Sequence, residues 1–68
     1  MNINITVNGK EVEIQDGLAL RAWLEGQNNF KAWTVVEYNG EILERELWPS
    51  TVLHEGDKLE VLVLLGGG

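Results

Sequence analysis

Residues 58–68 read KLEVLVLLGGG: an unusually apolar run, Val61 to Leu65, followed at once by three glycines. The run from Lys58 to Leu65 predicts a strand, and its lack of alternating polar residues places that strand where both sides are covered by neighbours. A strand so apolar belongs at the centre of a sheet. The rest of the chain has to supply the strands on either side and the helix that covers one face.

The supply is legible from the amino terminus. Ile3, Ile5 and Val7 alternate with Asn2, Asn4 and Thr6, and after Asn8-Gly9 the alternation resumes with Val12 and Ile14 between Glu11, Glu13 and Gln15. Asn-Gly between two alternating runs is the signature of a two-residue hairpin turn. Past Asp16, the residues Leu20, Trp23 and Leu24 fall at i, i+3 and i+4 with Gly26 as a stop, which predicts a short amphipathic helix. After the polar loop QNNF, the segment WTVVEY is a third strand, with Thr34, Val36 and Tyr38 on one face and Glu37 on the other, closing on Asn39-Gly40. Ile42 and Leu43 allow a short strand before Pro49 forbids regular pairing, and HEGD turns the chain into the last strand.

The order strand, strand, helix, strand, short strand, strand predicts an α+β fold: a mixed four- to five-stranded sheet with the helix across its single buried face. The first and last strands then lie side by side at the centre. Residues 1–65 form the domain, and residues 66–68 form a flexible glycine tail that leaves the centre of the sheet.

Composition narrows the function. A chain of 68 residues is one domain near the lower limit for a core without disulfides or metal, with no depth for a catalytic cleft. A net charge of -6 sets up a field that repels nucleic acid and anionic membranes and favours a basic protein surface as partner. The start MNINITVNGK is not a signal peptide, no stretch is long enough to cross a bilayer, and the cytoplasm is the expected location. No cysteine is present, which excludes thiolate catalysis, and any sulfur chemistry needs another atom to carry it.

No catalytic constellation emerges. His54 stands alone in a polar turn beside Glu55, too few ligands for a metal, and Glu11, Glu13, Glu37 and Glu60 read as the wet face of the sheet. Trp23, Trp33 and Trp48 are core or core-edge residues, unless one is exposed and marks a partner surface. Gly66, Gly67 and Gly68 read either as a frayed end or as a tail thin enough to thread a narrow channel and deliver one terminal carboxylate into another protein's active site. Val61, Val63 and Leu65 supply apolar surface for partner docking beside that tail.

The element order resembles the β-grasp (ubiquitin-like) fold. The closing pattern NGEILERELW…HEGDKLEVLVLLGGG, with Asn39-Gly40-Glu41, Arg45, Trp48, the Gly56-Asp57 turn and the terminal glycines, resembles the ThiS family of sulfur carriers in thiamine biosynthesis. The resemblance implies a protein cosubstrate that is not itself an enzyme, free as a monomer and binding no cofactor. A ThiF-like adenylyltransferase would use ATP and Mg to activate the Gly68 carboxylate, with Gly66 and Gly67 threading its active site. A persulfide from a cysteine desulfurase would convert it to a thiocarboxylate, and a ThiG-like thiazole synthase would take the sulfur. A MoaD-like small subunit of molybdopterin synthase shares fold and tail, and a ubiquitin-like modifier or a plain binding module are readings from other classes.

Overall fold

The computed structural model describes residues 1–27 and 33–63. The first Asn-Gly hairpin joins β1 (Asn2–Val7) to β2 (Lys10–Gln15) in antiparallel register, with Ile3 opposite Ile14 and Ile5 opposite Val12. The second joins β3 (Thr34–Tyr38) to β4 (Glu41–Leu43). Both turns place asparagine and glycine at positive φ, 51° and 82° at Asn8-Gly9 and 51° and 91° at Asn39-Gly40. That pair of left-handed residues twists a two-residue turn to match its strands, and asparagine is among the few side-chain-bearing residues that tolerate it.

Between the hairpins lies α1 (Leu20–Glu25), whose Leu20, Trp23 and Leu24 turn inward. It starts well beyond Asp16, because Ala19 is first held in an extended bridge to Val52 and the Leu53 amide donates to the Leu18 carbonyl at 2.9 Å. The first helical amide, of Leu20, donates to the Thr51 carbonyl at 2.7 Å, so the main chain of a distant segment replaces a side-chain cap.

The last strand, β5 (Lys58–Val63), occupies the centre of the five-stranded order β2-β1-β5-β3-β4, as its apolar run predicted. It pairs in parallel with β1 over Lys58 and Leu59 only, and antiparallel with β3 from Leu59 to Val63. The mixed sheet under a single α-helix is the β-grasp arrangement. Its core closes around Ile5, Leu20, Leu24, Val36, Trp48, Leu53 and Leu59, all at least 98% buried. Each such side chain contributes roughly 1.5–3 kcal/mol by leaving water.

One element had no counterpart in the sequence reading. Arg45–Ser50 forms a 3-10 helix with Pro49 inside it. It seats Trp48 in the core, where Nε1–H donates to the Leu43 carbonyl at 3.1 Å, and it carries the Arg45 guanidinium over the indole at 4.6 Å. Arg45 also donates from Nη2 to the Thr34 carbonyl at 3.3 Å, tying this helix to the start of β3.

Candidate functional site

The two ends of β5 are built differently. At its start, the Asp57 carboxylate is 9% exposed and gathers donors from three directions. Tyr38 Oη–H donates to Oδ2 at 2.7 Å, the His54 amide to Oδ2 at 2.8 Å, and Asn39 Nδ2 to Oδ1 at 3.2 Å. Burial alone would push the Asp57 carboxyl up, but these hydrogen bonds, with Tyr38 first among them, outweigh it and hold the carboxyl below its ordinary value. The same burial, reinforced by the hydrogen bond to Asp57 and its negative charge, pushes the Tyr38 hydroxyl up to about 12. Asp57 thus accepts three hydrogen bonds that tie the entry to β5 together. His54 itself is exposed and contributes through its main chain.

At the other end the strand runs toward the glycines. Leu59, Val61 and Val63 face the helix side, and Lys58, Glu60 and Leu62 face the open side of the sheet, as their registers with β1 and β3 require. Val61 and Val63 are half-buried and, with Val7, Trp23 and Leu24, line an open cavity of roughly 200 Å³ beside the end of α1. Leu65, Gly66, Gly67 and Gly68 lie outside the described residues.

The open face carries an apolar stripe and a carboxylate pair. Leu62 is 54% exposed and stands opposite Val35, with Ile42 at 71% on the neighbouring strand. Glu37 and Glu60 face each other directly across β3 and β5. Like charges so placed repel. Of the three tryptophans, Trp23 and Trp48 are core, whereas Trp33, immediately before β3, is 67% exposed.

Among the described residues no three histidine, cysteine, aspartate or glutamate side chains gather closely enough to hold a metal. Nor is any described helix long and apolar enough to cross a membrane. What the structure offers is a sheet whose central strand is anchored at its start and runs in sequence toward the glycines.

A model of the ThiS family matches residues 4–68, glycines included. The crystal structure of the thiamine biosynthesis protein ThiS from Geobacter metallireducens superposes with a TM-score of 0.83 at 38% identity, covering 97% of this chain and all of that one. A solution structure of a thiamine biosynthesis protein from the same organism gives a TM-score of 0.76 at 39% identity, over 97% of this chain and 88% of its own. Two proteins called ycf40 are also similar, at 30% identity in Porphyra purpurea and 34% in Pyropia yezoensis, each over 98% of this chain and 94% of the relative.

Proposed function

This chain belongs to the ThiS family, and on that premise we propose that it is a sulfur carrier of thiamine biosynthesis whose reacting group is the Gly68 carboxylate. The observation that carries the proposal is the family match through residues 66–68, which follow in sequence a strand at the sheet centre. The absence of cysteine fits it, since a sulfur carried on a terminal carboxyl needs no side-chain thiol.

The chemistry follows from the carboxylate being a poor electrophile. A carboxylate oxygen attacks the α-phosphate of Mg-bound ATP in a ThiF-like adenylyltransferase, pyrophosphate leaves, and an acyl-adenylate forms. The outer sulfur of a persulfide, made by a cysteine desulfurase, attacks the acyl carbon and AMP leaves. A thiol then cleaves the sulfur–sulfur bond, leaving a thiocarboxylate for a ThiG-like thiazole synthase. The chain contributes reach and position; ATP, Mg and catalysis belong to its partners, and the free carrier is a monomer.

Partners dock on the sheet surface flanking β5. Val61 and Val63, with Leu65 further along the sequence, precede the glycines, and the exposed Leu62 and Ile42 add apolar area on the open side, with Trp33 close by in sequence to β3. Glu37 and Glu60 beside that stripe favour a basic partner surface.

The first step is tested by exchange of labelled pyrophosphate into ATP, catalysed by a ThiF-like enzyme in the presence of this chain. Exchange is expected with the chain ending at Gly68 and absent with one residue added, because the carboxylate is then displaced by about 3.5 Å. Equal exchange with the extended chain would refute delivery by Gly68.

A further inference from the structure

Asn8 does more than turn the first hairpin. β1 stops at Val7, and the chain swings away into β2, so among the described residues no strand lies beside β5 past Leu59 on that side. The Asn8 side chain fills the gap. Its Oδ1 accepts from the Val61 amide at 2.7 Å, its Nδ2 donates to the Val61 carbonyl at 3.2 Å, and its own amide donates to the Leu59 carbonyl at 2.9 Å. One carboxamide thereby supplies the donor and the acceptor that one more strand residue would have supplied. The left-handed backbone at Asn8, φ 51°, belongs to the turn, and the carboxamide is free to serve a strand 53 residues away.

We infer that Asn8 is a positioning residue for the tail: by clamping Val61 on the flank that β1 leaves open, it fixes the course of β5 as it heads toward the tail and hence where the Gly68 carboxylate can reach. This rests on the sulfur-carrier reading above. Val61 is held by Asn8 on one side and lies in register with Val36 of β3 on the other. From that clamp, residues 62–68 can extend about 23–25 Å at most. Without it the end of β5 is held on one side only, and a partner must order it during binding. The added cost falls on association, not on the chemical step.

Asn39 is the internal control. It has the same φ, precedes the same glycine turn and also pairs with the β5 main chain, its Oδ1 accepting from the Lys58 amide at 2.8 Å. But it acts at the start of the strand, away from the tail.

The test compares wild type with Asn8→Gly, Asn8→Asp and Asn39→Gly. Glycine keeps the left-handed turn while deleting the carboxamide, so the hairpin survives. Aspartate keeps the acceptor for the Val61 amide and loses the donor. Amide hydrogen exchange, read by NMR on the free proteins, should show Val61 losing protection in Asn8→Gly and keeping part of it in Asn8→Asp. In adenylation kinetics with carrier concentration varied, Asn8→Gly should raise KM about 3- to 10-fold with kcat nearly unchanged. Asn8→Asp should fall between, and Asn39→Gly should match wild type in KM. Unchanged Val61 protection in Asn8→Gly, an unchanged KM, or an equal KM rise in Asn39→Gly would overturn the inference. If wild type itself is not adenylated, the sulfur-carrier reading has failed instead, and the exchange data alone decide whether Asn8 fixes β5.

Discussion

The molecule uses the same dipeptide in the same conformation twice, and the two copies do different work. Asn39-Gly40 sits at the entry to β5 and joins a polar cluster around a buried carboxylate, with the Asp57 side chain, the Lys58 main-chain amide and the Tyr38 hydroxyl tied into one network. Asn8-Gly9 sits toward the exit, where a single carboxamide holds Val61 and no buried charge backs it. The entry is locked by redundancy, whereas toward the exit the ladder with β3 holds one flank of β5 and a single side chain holds the other. A strand anchored firmly at its start and lightly at its end suits a chain that must present its last residues to other proteins.

The largest expected effect lies at the entry. Asp57→Ala removes the shared acceptor of three donors at a part-buried site, which should cost about 2–3 kcal/mol in urea denaturation. A loss of a few tenths would mean that the cluster is decorative and the contrast between the two ends false.

The same cluster predicts two pH limits. The Asp57 carboxyl titrates below its ordinary value of 3.8 in the folded protein, so its contribution is complete above that pH and fades as pH falls below it. The Tyr38 hydroxyl is raised from 10.0 to about 12, so its contribution is complete below pH 10.0 and is lost as pH rises toward 12. Thermal melts across pH should narrow at both extremes, and Tyr38→Phe should abolish the alkaline limit due to this group.

Smaller effects sharpen the contrast. Asn39→Gly should cost about 1–2 kcal/mol, because it leaves the buried Asp57 and the Lys58 amide short of a partner, and Asn8→Gly about 1 kcal/mol or less, because both of its side-chain hydrogen bonds are exposed. Equal or reversed losses in chemical denaturation would erase the distinction. Smallest of all, Leu62→Glu on the open face should change stability by no more than about 0.5 kcal/mol. It should nevertheless weaken association with the adenylyltransferase, measured by calorimetry, if the sheet beside the tail is the docking surface.

Much of this architecture was legible in the sequence because the responsible signals are local. Alternation gave β1 and β2, Asn-Gly gave both turns, and the unbroken apolar run Val61 to Leu65 placed β5 at the centre. The 3-10 helix Arg45–Ser50 was not legible, since two tight turns are too short a run to show a period in its side chains, and Pro49 reads as a breaker until Trp48 is seen buried beside it. Asp57 read as a turn residue because its donors come from Tyr38 and Asn39, far away in sequence. Asn8 was hidden for the opposite reason: the hairpin accounts for an asparagine there so completely that a second role leaves no trace in the pattern. Which tryptophan is exposed is a matter of tertiary placement, and the three read alike until Trp33 falls just outside β3.

The claim beneath the comparison is that the exit of β5 delivers a carboxylate to be converted to a thiocarboxylate. Intact-mass spectrometry tests it most directly, on the chain incubated with ATP, Mg, a ThiF-like adenylyltransferase, a cysteine desulfurase with cysteine, and a thiol. The account predicts a mass gain of one oxygen-for-sulfur exchange, placed by fragmentation on Gly68. An unchanged mass under conditions where pyrophosphate exchange proceeds, or a sulfur placed on any other residue, would contradict it.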